Sequence, residues 1–181
     1  MMRKLIVVDM LKDFLLPGGK LSISSPTEDT TKKLREDAAE YIQNFEGRVY
    51  LIMDKHKKGD PEFDQFPEHC VEDTEGAELI DEIKNNLPEG ATIIPKVTFN
   101  SDSIPPAVIP HNSGQPEIHV IGVCTHICVH DTVAQIANTY KERWGKIADI
   151  TVHKDLCGDF DPEMAEMCLK RLQNLYGVKV I

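Results

Sequence analysis

Apolar and polar positions along the chain fall into short runs that alternate between two periods. Leu5–Val8 is a continuous apolar run of strand length that stops at Asp9. A stretch of helical periodicity follows over roughly 28–44, with Glu28 and Asp29 near its start, where acidic side chains suit the helix dipole. Val49–Met53 reads as the second strand, ending at Asp54. Residues 55–74 are polar, hold Gly59, Pro61 and Pro67, and read as a long loop. Thr74 is placed to cap a helix running to about Asn86, stopped by Pro88. Thr92–Ile94 is a third strand that reaches Lys96. Residues 100–116, with four prolines and a glycine, read as a second long loop without a helix. Ile118–Val123, Ile147–Val152 and Val178–Ile181 complete the strands. Helices are expected from Thr125 to about Arg143 and from Pro162 to Tyr176, the last with Pro162 in its first turn and Gly177 at its end.

Strands and helices that alternate in this way build a parallel sheet covered on both faces. The expected fold is therefore α/β: a doubly wound three-layer α/β/α sandwich on a mostly parallel six-stranded sheet. Length suits one domain over residues 1–181, with no repeat, low-complexity segment or linker. Long loops in a compact domain are usually functional, which draws attention to 55–74 and 100–116.

Charge and cysteine content narrow the function. The formal net charge is −10 and no Lys/Arg cluster is present, which argues against a nucleic-acid partner. The N-terminal apolar run is too short for a signal-peptide core, and no stretch is long enough to span a membrane. A soluble, cytoplasmic protein is expected. Five cysteines, an odd number without a CxxC pair, argue against both a disulfide framework and a thiolate zinc site.

The ends of the strands carry the chemistry. In an open parallel sheet the carboxyl ends line the ligand crevice. Here they deliver Asp9, Asp54, Lys96 and, beyond the fourth strand, Cys124 and Cys128 to one edge. Cys128 lies in the first turn of a helix, where free N–H groups favour a thiolate and can bind an oxyanion. Cys124 sits at the turn itself, where its backbone N–H is more useful than its thiol. Lys96 near Cys128 would stabilise the thiolate, and Asp9 would be its general acid and base. Asp54, His56, Glu62 and His69 form an acid and imidazole set within one loop, suited to zinc, manganese or iron with positions left open. His119, His126 and His130 read as packing or surface residues, and Cys70, Cys157 and Cys168 as structural.

These residues resemble the isochorismatase-like cysteine hydrolases, and within them the nicotinamidase-like subset. VDMLKDF, holding Asp9 and Phe14, is similar to the first family motif. DKH at 54–56 and FPEHCVEDTEGAEL at 66–79 are similar to the metal loop, PKVTF places Lys96 at the catalytic lysine, and VIGVCTHICV at 120–129 places Cys128 at the nucleophile. The resemblance implies a Cys128–Asp9–Lys96 triad and a cis peptide between Val123 and Cys124. It also implies an oxyanion hole from the backbone N–H groups of Cys124 and Cys128. It implies one divalent metal ion, zinc first, on Asp54, His56, His69 and Glu62, with Phe14 and Phe66 stacking on the substrate. Family members form oligomers, so a homo-oligomer is expected. The implied reaction is hydrolysis of a small carboxamide, nicotinamide first. Two features depart from the pattern: Leu11 stands where many members have Gln, and the segment after Lys96 lacks the usual Ser-aromatic-Gly-Thr run. Three alternatives stay open: another amide, carbamoyl or ureido substrate; a metal hydrolase in which Cys128 is inert; and a non-enzymatic binding module.

Overall fold

A computed structural model describes residues 2–109 and 114–181. Six strands form one sheet in the order β3-β2-β1-β4-β5-β6, and every pairing is parallel. Their ranges are β1 Arg3–Val8, β2 Arg48–Asp54, β3 Thr92–Lys96, β4 Glu117–Val123, β5 Asp149–Gly158 and β6 Lys179–Val180. The chain winds outward from β1 through β2 to β3, then returns to the other side of β1 and continues through β4 to β6. The order therefore reverses between β1 and β4, which opens a crevice beyond their carboxyl ends.

The alternation of side chains along β1 sorts the two halves of the core. Leu5 and Val7 face a layer built by α1 (Lys12–Leu15), α2 (Lys32–Gln43) and α3 (Asp81–Lys84). Ile6 and Val8 face the opposite layer of α4 (Ile104–Val108), α5 (His130–Trp144) and α6 (Pro162–Tyr176). Central strands buried on both faces explain why β1 and β4 are mostly apolar. Gly122 is required where β4 passes β1: its φ is +133°, and a Cβ there would lie 2.1 Å from the Val8 carbonyl oxygen.

Several boundaries differ from the sequence expectations. The helix expected from Thr74 to Asn86 is broken into a 3-10 turn at Glu75–Ala77 and the one-turn α3, and the Thr74 side chain caps nothing. Glu78 and Leu79 interrupt it because the Glu78 carbonyl accepts from Lys12 N–H and Leu79 bridges Leu11. Within the segment expected to be helix-free, α4 forms with two prolines in its first turn, where their missing N–H groups cost nothing. The part of that segment at 110–113 lies outside the described residues. The fifth strand starts later than expected and runs six residues further, past an irregularity opposite Val120–Gly122. The helix expected from Thr125 opens instead with a π-helical turn, Thr125–Val129, before α5. Asp29 lies ahead of the N-cap of α2 rather than in its first turn, and clamps Arg35 through both carboxylate oxygens, at 2.6 and 2.8 Å.

Candidate active site

Register across the sheet brings the charged side chains together. Asp54 and Lys96 are partners across β2 and β3, so both project from the same face at the strand ends. Asp9 follows β1, and its Oδ1 accepts the Asp54 N–H at 2.8 Å. The Lys96 ammonium lies 2.8 Å from Asp9 Oδ2, donates to Asp54 Oδ1, and lies 3.5 Å from Cys128 Sγ. A carboxylate oxygen of Asp9, one of Asp54 and the sulfur of Cys128 all fall within 4.8 Å of one another. Three strands and the turn after a fourth thus meet around one ammonium group.

Burial sets the protonation states. Removal from water, then repulsion by Asp54, raises the Asp9 carboxyl to about 7, with Lys96 pulling the other way. Burial works against the Lys96 ammonium, but Asp9, Cys128 and Asp54 outweigh it and hold the amine well above its ordinary value. Burial also pushes the Cys128 thiol well up, offset in part by Lys96. The turn that carries Cys128 is π-helical and buries the sulfur, which works against a thiolate there, while Lys96 works for it.

Cys128 is held by parts the sequence did not advertise. The Val123–Cys124 peptide is cis, as the resemblance implied. The extension of β5 brings Gly158 and Asp159 against the turn. Thr125 Oγ1 donates to the Gly158 carbonyl at 3.1 Å, and Asp159 accepts the His126 N–H at 2.8 Å while contacting His126 Nδ1 at 2.7 Å. The contacts of Asp159 with this turn were not anticipated, because nothing in LCGDF says that the strand continues so far.

The acid and imidazole set is arranged as a candidate metal site. The 55–74 segment folds back on itself: His56 donates its N–H to the Cys70 carbonyl and accepts from Glu72, which sets His69 beside it. Asp54, His56 and His69 are all buried and offer ligand atoms within 4.8 Å of one another. His69 Nδ1 donates to the Pro67 carbonyl at 2.8 Å, leaving Nε2 bare and facing Asp54 Oδ2 at 3.9 Å and Glu62 Oε1 at 3.8 Å. His56 Nδ1 lies 3.3 Å from the Asp60 carboxylate and Nε2 3.7 Å from Asp54 Oδ2, yet neither ring nitrogen makes a hydrogen bond within the protein. The Asp54 carboxylate beside it raises the His56 imidazole to about 8, against the effect of burial. Buried imidazole nitrogens without hydrogen bonds, beside the Asp54 and Asp60 carboxylates, fit a divalent cation. Asp60, which also caps the 3-10 turn Pro61–Asp64 by accepting the Glu62 N–H, was missed. Its Asp-Pro signature was readable as a cap but not as a partner of His56.

Aromatic side chains close the space in front of these groups. Phe14, Phe66, Phe99 and Phe160, with Leu21 and Ile127, wall a narrow cleft of about 20 Å³ that also touches Cys124, Cys128, Asp54, Glu62 and His69. Phe14 packs 5.3 Å from the His69 ring, and Phe66 meets Phe99 edge-on at 6.2 Å. Leu21, Phe99, Ile127 and Phe160 were not singled out from sequence. Leu11 is fully buried in the α1 layer, so it leaves no polar contact there.

The isochorismatase domain profile matches residues 4–181. An uncharacterised isochorismatase family protein, PncA, from Bacillus subtilis is 28% identical over 189 residues, covering 99% of each chain. Nicotinamidase 1 of Arabidopsis thaliana is 28% identical over 170 residues, covering 87% of this chain and 69% of that one. The crystal structure of a pyrazinamidase from Pyrococcus horikoshii, in complex with zinc, superposes with a TM-score of 0.77 at 25% identity, covering 100% and 99% of the two chains.

Proposed function

The chain belongs to the isochorismatase family, and from that premise we propose that it hydrolyses a small aromatic carboxamide, nicotinamide first, to the carboxylate and ammonia through a thioester on Cys128. The observation that carries this reading is the convergence of Asp9, Lys96 and Cys128, with Cys128 facing a narrow aromatic cleft. Aromatic walls suit stacking on a planar ring.

The steps follow from the groups present. Asp9 takes the proton of the Cys128 thiol, a transfer for which a carboxyl at about 7 is matched near neutral pH. The sulfur then bonds to the amide carbon. The oxyanion that forms is met by the backbone N–H groups of Cys124 and Cys128, donors fixed before the reaction begins. Asp9 returns its proton to the amine, the C–N bond breaks and ammonia leaves. Asp9 next takes a proton from water as the water attacks the thioester; the C–S bond breaks, and the proton passes back to the sulfur. Lys96 stays charged throughout and balances the negative charge as it moves among Asp9, the sulfur and the oxyanion. Phe14 and Phe66 hold the ring. Asp54, His56 and His69, with Glu62 in reach, would hold the ion, which when bound supplies a Lewis acid for a ring nitrogen.

The test is ammonia release from nicotinamide and from pyrazinamide by purified protein, before and after chelation. The expected result is turnover that falls on chelation and returns with zinc. Turnover of a ureido or carbamoyl compound instead, unaffected by chelator, would overturn the substrate and leave the thioester. Full activity in Cys128→Ala would overturn both.

A further inference from the structure

A second cluster of donor atoms lies away from the strand ends, between α2 and the sheet. His119 on β4, His153 on β5 and Tyr41 on α2 point their polar atoms at one another. His119 Nδ1 is 2.8 Å from His153 Nε2, and Tyr41 Oη lies 3.2 Å from the first and 3.0 Å from the second. His119 stands four residues before Val123, so the cluster is about 13 Å down the strand from the turn that carries the nucleophile.

We propose that His119, His153 and Tyr41 form a second metal site, which takes one Zn²⁺ ion independently of Asp54, His56 and His69. Three observations carry the assignment. The first is the triangle itself: tetrahedral zinc ligands at about 2.0–2.1 Å sit roughly 3.3 Å apart, so the three atoms need open by only a few tenths of an ångström. The second is the partner of His119. Glu117 Oε1 lies 2.8 Å from Nε2; with the ring proton on that nitrogen, the Nδ1 lone pair faces the triangle. A carboxylate on the far nitrogen of an imidazole is the arrangement that orients metal-binding histidines. Arg3 stands 3.4 Å from the same nitrogen, and its guanidinium lies 3.7 Å from Glu117, so the two charges balance beside the site. The third is access. A surface groove between α2 and β5, lined by Asp37, Glu40, Tyr41, Asn44 and Leu156, reaches Tyr41 with two carboxylates on its wall, which favours entry of a cation. With two imidazoles and one phenol oxygen, the fourth position is left to water. The ion would tie α2 to two adjacent strands.

The experiment counts zinc on metal-stripped, full-length protein by calorimetry and by elemental analysis after gel filtration. Two ions per chain are expected in the wild type, with one retained in His56→Gln. Tyr41→Phe keeps the ring packed against His153 and Phe45. It and His153→Gln should each weaken one of the two sites at least about 10-fold and leave amide hydrolysis unchanged; Glu117→Gln should weaken the same site by about 10–100-fold. In the His56→Gln background, zinc should still raise Tm, and should cease to do so when His153→Gln is added. One ion per chain in the wild type, a second ion bound only at millimolar zinc, or a second ion retained at full affinity in both Tyr41→Phe and His153→Gln would each overturn the proposal.

Discussion

Lys96 is the side chain around which the charges of the candidate site gather. It is buried with Asp9 and Asp54 on one side and Cys128 on another, and under the proposed mechanism it would also balance the oxyanion. Residues that act as one unit lose activity together rather than additively. Cys128→Ala and Lys96→Met are each expected to lower kcat/KM by about 10³-fold or more, and the double variant should be no worse than the weaker single one. Steady-state rates on the same amide measure this, with circular dichroism confirming that Lys96→Met folds. Asp9 and Cys128 were recognisable as types at strand ends. Their protonation states were not, because burial depends on what packs over them.

Elements position these residues through a few buried carboxylates. Asp13 on α1 accepts the Cys70 N–H at 2.8 Å and the Lys20 N–H at 3.1 Å, fastening the segment that carries His69. Gly76 packs against it so closely that a Cβ would lie 2.0 Å from Asp13 Oδ2. Gly76→Ala should therefore displace Asp13 and weaken zinc at Asp54, His56 and His69 by about 10–100-fold, read by competition with a fluorescent chelator. Asp29 does a similar service for α2. Its hydrogen bonds from Arg35 hold its carboxyl below the ordinary 3.8 in the folded chain. A depressed folded-state value stabilises above the unfolded value and loses that contribution as pH falls through the folded one. Asp29→Asn should lower Tm at neutral pH by ~2–4 °C, as for about 1 kcal/mol in a chain of this size. The gap from wild type should close below about pH 4 in a pH series of melting curves.

At the scale of the molecule, the two halves of the site come from different parts of the chain and share Asp54. Its Oδ1 accepts from Lys96, while its Oδ2 faces His56 and His69. An ion bound there joins the end of β2 to the segment folded back over it. Anything that binds the folded state alone stabilises it by mass action, about 2.7 kcal/mol at 100 times Kd. Chelation should thus lower Tm as well as activity, and zinc should restore both. Chelation that removes activity while leaving Tm unchanged would count against an ion held by these residues. Among the described residues no helix is long and apolar enough to cross a membrane, and the five cysteines are free.

By itself the sequence determined the alternation of strands and helices, the identity of the residues at each strand end, and the family. All of these are local patterns: apolar runs of one strand's length, turn residues between them, and motifs read in order. It could not determine where β5 stops, that Asp159 holds the turn carrying Cys128, that Asp60 meets His56, or that His119, His153 and Tyr41 converge. Those facts depend on register and on how helices lie across the sheet. A shift of one residue would turn each side chain to the other face, and only the assembled structure selects between them.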